Sequence, residues 1–343
     1  MSLHPSRLSR LSPGHVVLAV WLLACGNDAQ PAAAPGEGPA TAQDQARPST
    51  DTVVRLGYQK IGPPFLLKQR AEGLIAQLEA RGARPEWVEF QAGPPLLEAM
   101  RAGAVDIGYV GETPPVFAQS GGVPFVYVAT DPPAPEAEAI VVPADSPIQT
   151  VAQLAGKRVA VNRGSNVHYL LVRALEREKL GLADIELVFL APADARAAFD
   201  SGKVDAWVIW DPFLAAVELA GARILRDGKD LVDNHLFYVV RREFAEQHED
   251  LVRVVLAEYE RLSEWAGTHH EEAARILAAS SGIAYEALLR AEQRHPSGLR
   301  PITPEVLARQ QAIADTFHAL DVIPRPIRTA EAFLPTVAYG SAP

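Results

Sequence analysis

Residues 101–122 read RAGAVDIGYVGETPPVFAQSGG, and residues 200–221 read DSGKVDAWVIWDPFLAAVELAG. Both run from a helix end through glycine to Val-Asp, a strand, an acidic turn with proline and a second helix, at a constant offset of 99 residues. Gly103 pairs with Gly202, Asp106 with Asp205, and Glu112 with Asp211. A unit that occurs twice at one spacing predicts two lobes built on related modules. Two such α/β lobes leave a cleft between the C-terminal ends of their strands, where ligands of such sheets bind.

The alternation continues on both sides of these modules. Short β-branched runs fall at 53–57, 87–90, 105–110, 125–129, 139–142, 158–162, 186–190, 205–210 and 237–240. Helical stretches such as 65–81, 167–179 and 194–201 lie between them. This predicts an α/β protein with largely parallel pairing. After Arg241 the pattern is helical only, over 250–266, 271–280, 285–293 and 304–320. Such a tail reads as packing back on an earlier lobe.

The amino terminus sets the compartment. Arg7 and Arg10 precede an apolar run over 16–24, far shorter than the ~20 residues a membrane-spanning helix needs. A basic segment followed by a short apolar one is the pattern of a secretory leader, removed before folding. It ends in Leu22-Leu23-Ala24-Cys25, the form of a bacterial lipobox, so residues 1–24 are expected to be cleaved and Cys25 lipidated. Cys25 is the only cysteine, which rules out an intrachain disulfide. Residues 25–50 are rich in Ala, Pro, Gly and Gln and read as a flexible tether. The net charge is −10, and the leader holds two positive charges, so the chain after it carries about −12. An acidic chain with no basic tract is a poor partner for nucleic acid or an anionic membrane surface.

Four strand-to-helix junctions have polar or glycine-rich turns: Gly57-Tyr58-Gln59-Lys60, Gly111-Glu112-Thr113-Pro114, Asn162-Arg163-Gly164-Ser165-Asn166 and Trp210-Asp211-Pro212. The unpaired N–H groups and positive dipole end of a helix start form an anion site. In the third junction Gly164 permits close approach, Ser165 offers a hydroxyl and Arg163 a permanent cation. The competing reading is an ordinary helix cap with a surface arginine. Asp211-Pro212 reads as a cap followed by proline at the first helical position, and Trp210 stands open between pocket wall and core. Glu112 would repel an anion; capping its own helix, or pairing with Lys60 or Arg163 across the cleft, are the alternatives. His168 either faces the cleft beside Ser165 or packs inward.

Catalytic and metal patterns are weak. No G-x-S-x-G, P-loop, G-x-G-x-x-G or C-x-x-C occurs. In His269-His270-Glu271-Glu272, adjacent helical positions diverge by about 100° and do not converge on a metal. No cofactor is expected.

Taken together, Leu56-Gly57-Tyr58-Gln59-Lys60, the stretch WVEFQAGPPLLEAM over 87–100, PPVFAQ over 114–119, APADARAAF over 191–199 and VDAWVIWDPF over 204–213 resemble the aliphatic sulfonate-binding proteins of ABC importers, within the nitrate/sulfonate/taurine-binding family. The resemblance runs from Leu56 to about Ile327. It implies the two-lobed periplasmic binding protein fold (type II), with hinge crossings near 134–141 and 234–240. Residues 51–138 and 238–343, including the helical tail, would form one lobe and 139–237 the other. It also implies a periplasmic monomer, lipid-anchored, that passes an aliphatic sulfonate to an ABC permease. Ligand contacts would come from Gln59, Lys60, Gly111, Glu112, Thr113, Arg163, Gly164, Ser165, Asn166, His168, Trp210 and Asp211, with no catalytic residue. Two departures stand out: Glu112 where the family often has Asp, and Ser165-Asn166-Val167 where it has a run of serines. The competing ligands are another small anion or zwitterion (taurine, nitrate or a sulfate ester). The competing class is an enzyme like those of thiamin-pyrimidine synthesis, which share the fold; an export leader and the lack of a His/Cys cluster argue against it.

Overall fold

The protein is described here from a computed structural model covering residues 52–340. The leader 1–24, Cys25 with its lipidation, and the tether 25–50 lie outside the described residues.

The first lobe opens with β1 (Thr52–Tyr58), where Val54, Leu56 and Tyr58 point to one buried face at the two-residue period of a strand. It continues through α1 (Gly62–Gln69), α2 (Glu72–Glu79), β2 (Ala83–Glu89), α3 (Gly93–Arg101), β3 (Ile107–Gly111), α4 (Thr113–Ser120) and β4 (Phe125–Thr130). The helix expected over 65–81 is two helices, because Arg70 leaves helical geometry at φ −134°. The chain then crosses to the second lobe. There it forms β5 (Glu138–Val142), β6 (Arg158–Val161), α5 (Asn166–Arg177), β7 (Glu186–Phe189), α6 (Pro192–Asp200), β8 (Ala206–Trp210), α7 (Phe213–Leu219) and β9 (Arg223–Asp227). A second crossing returns it to β10 (Leu236–Arg241), followed by α8 (Arg242–Gln247), α9 (Glu249–Thr268), α10 (His270–Ser281), α11 (Tyr285–Arg294) and α12 (Pro304–Ala319).

The sheets have strand orders β2-β1-β3-β10-β4 and β7-β6-β8-β5-β9. This is the two-lobed α/β architecture with two crossings. Pairing is not largely parallel, however. β1 pairs parallel with β2 and β3, and β6 with β7 and β8, but β10 runs against β3 and β4, and β5 against β8 and β9. The reason is the route of the chain: β5 and β10 enter their sheets from the cleft, whereas the strands beside them end there.

The repeated module is repeated in three dimensions. Asp106 and Asp205 donate their backbone N–H to the carbonyls of Arg55 and Arg158, both at 2.8 Å. Gly103 and Gly202 end the preceding helices at φ +73° and +67°, the left-handed position that favours glycine. The tail packs on the first lobe: Leu251, Val255 and Leu262 of α9 share a core with Leu66 of α1 and Val240 of β10. It also reaches the second lobe. Phe317 of α12 lies 5.0 Å from Phe117 of α4 and 6.0 Å from Tyr169 of α5. Arg294 of α11 is 2.5 Å from Glu218 of α7.

Candidate functional site

Between the lobes lies a cavity of about 390 Å³, counting its mouth, lined by Gln59, Ile61, Gly93, Gly111 and Pro114 of the first lobe. Ser165, Asn166, Trp210 and Asp211 of the second lobe face them, and Ala137, Asn234 and Leu236 of the crossings and His295 complete the wall. Ile61, Asp211, Leu236 and His295 also line a larger adjoining cavity of about 650 Å³.

Five helix starts border this space, and their sequences make them chemically unequal. α1 begins Gly62-Pro63-Pro64, α3 Gly93-Pro94-Pro95 and α4 Thr113-Pro114-Pro115. Proline has no N–H, so each of these starts loses two of the donors a helix normally offers. α5 begins Asn166-Val167-His168 with its amides intact. The His168 N–H is used on the Ser165 carbonyl at 3.0 Å, leaving those of Asn166 and Val167 outside the helix ladder. At α7 the Asp211 carboxylate accepts the Ala215 N–H at 2.9 Å, placing negative charge where an anion would sit. Among these starts, α5 is the one that keeps its backbone donors and has no carboxylate over them.

The loop entering α5 is shaped by Gly164 at φ +72°. The Ser165 hydroxyl donates to the Asn162 carbonyl at 2.7 Å and does not cap α5. Asn166 ties the lobes and crossings together. Its Nδ2 donates to Glu138 Oε2 at 2.6 Å and to Asn234 Oδ1 at 2.7 Å, and its side chain abuts Gly111 so closely that a Cβ there would stand 2.5 Å from Oδ1. Gln59 Nε2 donates to the Tyr109 carbonyl at 3.0 Å.

Of the residues expected from sequence, Gln59, Gly111, Ser165, Asn166, Trp210 and Asp211 meet around the cavity, and Lys60 lines the adjoining one. The others do not reach it. Arg163 is exposed, its guanidinium 5.4 Å from the Phe189 ring, because the left-handed turn at Gly164 separates it from the helix start. His168 is packed 5.1 Å from Phe317 and 5.5 Å from Phe189, and burial lowers its pKa to about 4, so it is a neutral core residue. Gly164 and Thr113 are buried behind the cavity wall. Glu112 faces a separate hollow with Tyr169, Arg173 and Arg309. It pairs with neither Lys60 nor Arg163: its Oε2 accepts the His235 N–H at 3.0 Å, while Lys60 lies 3.5 Å from Glu89. Asp211 does act as a cap, but for a helix that begins at Phe213, one position later than expected.

Burial raises the pKa of Glu112 to about 8 and pushes that of Glu138 well above the usual carboxylate range. Asp211 rises to about 6 against the opposing pull of Arg294. Sequence reasoning missed Asn234, His295, Glu138, Asp131 and Glu292. Asn234 sits in a crossing at φ +53°, and His295 follows α11; neither lies in a recognisable local motif. Asp131, ahead of Pro132-Pro133 at the end of a strand, carried the one usable signal.

The model of a family described as ABC transporter, phosphonate, periplasmic substrate-binding protein matches residues 63–289. An aliphatic sulfonates-binding protein of Escherichia coli (strain K12) is 39% identical over 284 residues, covering 82% of this chain and 88% of that one. One from Bacillus subtilis (strain 168) is 33% identical over 226 residues, 65% of this chain and 68% of the other. Among solved structures, the alkanesulfonate-binding protein SsuA from Xanthomonas axonopodis pv. citri bound to MOPS superposes with a TM-score of 0.78 at 38% identity, over 82% of this chain and 98% of that one.

Proposed function

The chain belongs to the periplasmic substrate-binding proteins of ABC transporters, and we propose that it closes its two lobes around an aliphatic sulfonate and hands it unchanged to an ABC permease. The observation that carries this reading is the start of α5, which keeps its backbone N–H groups and borders, through Ser165 and Asn166, a cavity lined by no lysine or arginine among the described residues. A sulfonate is a single negative charge with three acceptor oxygens, so it needs donors rather than a full counter-charge, whose burial is costly. The family description names phosphonate and the relatives' names sulfonate. Asp211 in the wall would repel a phosphonate dianion more than a monoanion. Ile61, Leu236, Pro114 and Trp210 supply apolar wall for the tail.

The same proposal has the chain working as a monomer, anchored through a lipid on Cys25. Its lobes divide as 51–138 with 238–343 against 139–237. A melting screen across alkanesulfonates, ethylphosphonate, sulfate, nitrate and taurine tests the ligand. A ligand at 100 times its Kd stabilises the folded state by about 2.7 kcal/mol. Alkanesulfonates are expected to raise Tm and to be recovered intact after denaturation. A shift with ethylphosphonate alone, or a consumed ligand, overturns the reading.

A further inference from the structure

We propose that Arg294, at the end of α11, makes the cavity acceptable to an anion: reaching across from the first lobe, it cancels the charge of Asp211 in the wall, and does so only while the lobes are closed. Arg294 is thus a positioning residue that touches no ligand, and parting the lobes withdraws the cation and weakens the hold on the anion. This rests on the reading of an anionic ligand above, and it applies to any small anion as well as to a sulfonate.

The two partners belong to different lobes. On α11, Leu288 shares a core with Leu66 of α1, Leu277 of α10 and Tyr238 of β10. On α7, Leu214 and Val217 share the other core with Val208 of β8. Between these helices Arg294 Nη1 donates to both oxygens of Asp211 at 3.3 Å, and Nη2 donates to Glu218 Oε2 at 2.5 Å. Arg290, one turn earlier on α11, lies 3.8 Å from the second Glu218 oxygen. Asp211 lines the cavity bordered by α5, whereas Arg294 does not. Its side opens instead onto a separate hollow beside the first crossing, with Pro133 and Pro135.

The Asp211 side chain is 1% exposed and is held in place by the Ala215 N–H at 2.9 Å. An unpaired carboxylate enclosed there would repel an anion strongly, because little water screens the two charges. Arg294 removes that repulsion from outside the cavity, so an anion can be held beside a carboxylate with no lysine or arginine in the wall among the described residues. Separating α7 from α11 breaks this pairing. An anion therefore favours the closed state, and by linkage the open state binds it less well. Burial raises the Asp211 pKa to about 6, and Arg294 is the strongest influence in the opposite direction. Glu218, on the helix that Asp211 caps, raises it further, and Glu292 of α11 and Asp211 oppose each other's charge. Lys60, Asp131 and His270 line the larger cavity with it, and His295 is neutral there, since burial and then Arg294 lower its pKa to about 4.

Titration calorimetry with 1-butanesulfonate at pH 6, 7 and 8 tests this. Nitrate takes its place if the parent binds nitrate and not the sulfonate, so that a failure of the sulfonate reading is seen separately. Arg294→Gln is expected to weaken binding about tenfold or more at pH 8, as loss of one member of an enclosed charge pair does; Arg294→Lys, which keeps the charge without the fork, should lose less. The loss should shrink as pH falls to 6, because without Arg294 the Asp211 carboxyl takes up a proton more readily and stops repelling the anion. In the Asp211→Asn background, where the side-chain oxygen still accepts the Ala215 N–H, Arg294→Gln should cost no more than about threefold. Melting of the ligand-free variants shows that they fold. If Asp211→Asn does not, the pH profile of Arg294→Gln decides; if Arg294→Gln does not, the partial loss in Arg294→Lys and its pH dependence decide. Binding by Arg294→Gln within about threefold of the parent, a loss independent of pH, or an equal loss in the Asp211→Asn background overturns the role of Arg294 and leaves the anionic ligand standing. A parent that binds neither anion overturns both.

Discussion

Asp205 repeats Asp106: each carboxylate accepts the backbone N–H of an arginine on the neighbouring strand, Arg158 and Arg55, at the same 2.9 Å. The two differ in burial. The Asp106 side chain is fully enclosed and is also held by Arg241 at 2.8 Å, whereas that of Asp205 is 30% exposed and held by Arg158. Breaking an enclosed ion pair costs about 3–5 kcal/mol and an exposed one about 1 kcal/mol or less. Asp106→Ala is therefore expected to destabilise the protein far more than Asp205→Ala in urea unfolding. Equal losses would show that burial does not distinguish them.

Gly111 meets Asn166 where the lobes touch, and a methyl there has no room. Gly111→Ala is expected to weaken ligand binding about tenfold or more, the effect of 1.4 kcal/mol or more, with a smaller change in ligand-free Tm. Small-angle scattering should show less compaction with saturating ligand than in the parent. Unchanged affinity and compaction would mean that Asn166 moves aside freely.

Glu112 makes stability depend on pH. Its folded pKa of about 8 exceeds the unfolded value of 4.5, so the folded state retains a proton that the unfolded state releases. Stability consequently falls as pH rises from about 4.5 to about 8, and levels off above. Glu112→Gln keeps an acceptor for the His235 N–H and removes the titration. Its Tm is expected to exceed that of the parent at pH 8, by roughly 1–2 °C for each kcal/mol recovered. The variant's Tm should fall less between pH 5 and 8, with the other raised carboxyls (Glu138, Asp131, Asp211 and Glu292) contributing to the slope that remains. An unaltered slope in melts at pH 5, 7 and 9 would place the proton elsewhere.

Arg163 and His168 flank the turn into α5 but do not line the cavity; His168 lies behind the turn, its Nδ1 accepting the Gly164 N–H at 3.4 Å. Arg163→Ala and His168→Met are expected to hold ligand affinity within about threefold, which is about 0.7 kcal/mol. His168→Asp should instead lower Tm sharply, since it buries an unpaired carboxylate among Phe117, Phe189 and Phe317. A tenfold loss on Arg163→Ala, read by calorimetry, would restore the arginine to the site.

What the sequence disclosed depended on how local the signal was. The repeated Gly-Val-Asp-strand-turn-helix unit is contained in about twenty residues, and it led directly to two sheets and the cleft. β9 escaped notice because an edge strand of half-buried residues, Arg223-Ile224-Leu225-Arg226-Asp227, shows no apolar period. The direction of β5 and β10 was hidden because it follows from the path between lobes, not from either strand's composition. Asp131, Asp211 and Glu292 share a cavity although they are spread over 161 residues of sequence and three separate elements. Conversely, Arg163 and Ser165 are two residues apart, yet one left-handed glycine sends them to different surroundings.

The strand order also dictates an order of assembly. The second sheet draws all five strands from the unbroken stretch between Glu138 and Asp227, so it can be completed by the chain already at hand. The first cannot: β10 fills the gap between β3 and β4, and it is made only after the whole second lobe. Such long-range closure is slow relative to local pairing. Until it happens, β3 and β4 each present a row of unpaired backbone groups, the kind of edge that joins with other chains. Anything that delays the arrival of residues 236–241 thus turns an interior strand position into an opening for aggregation.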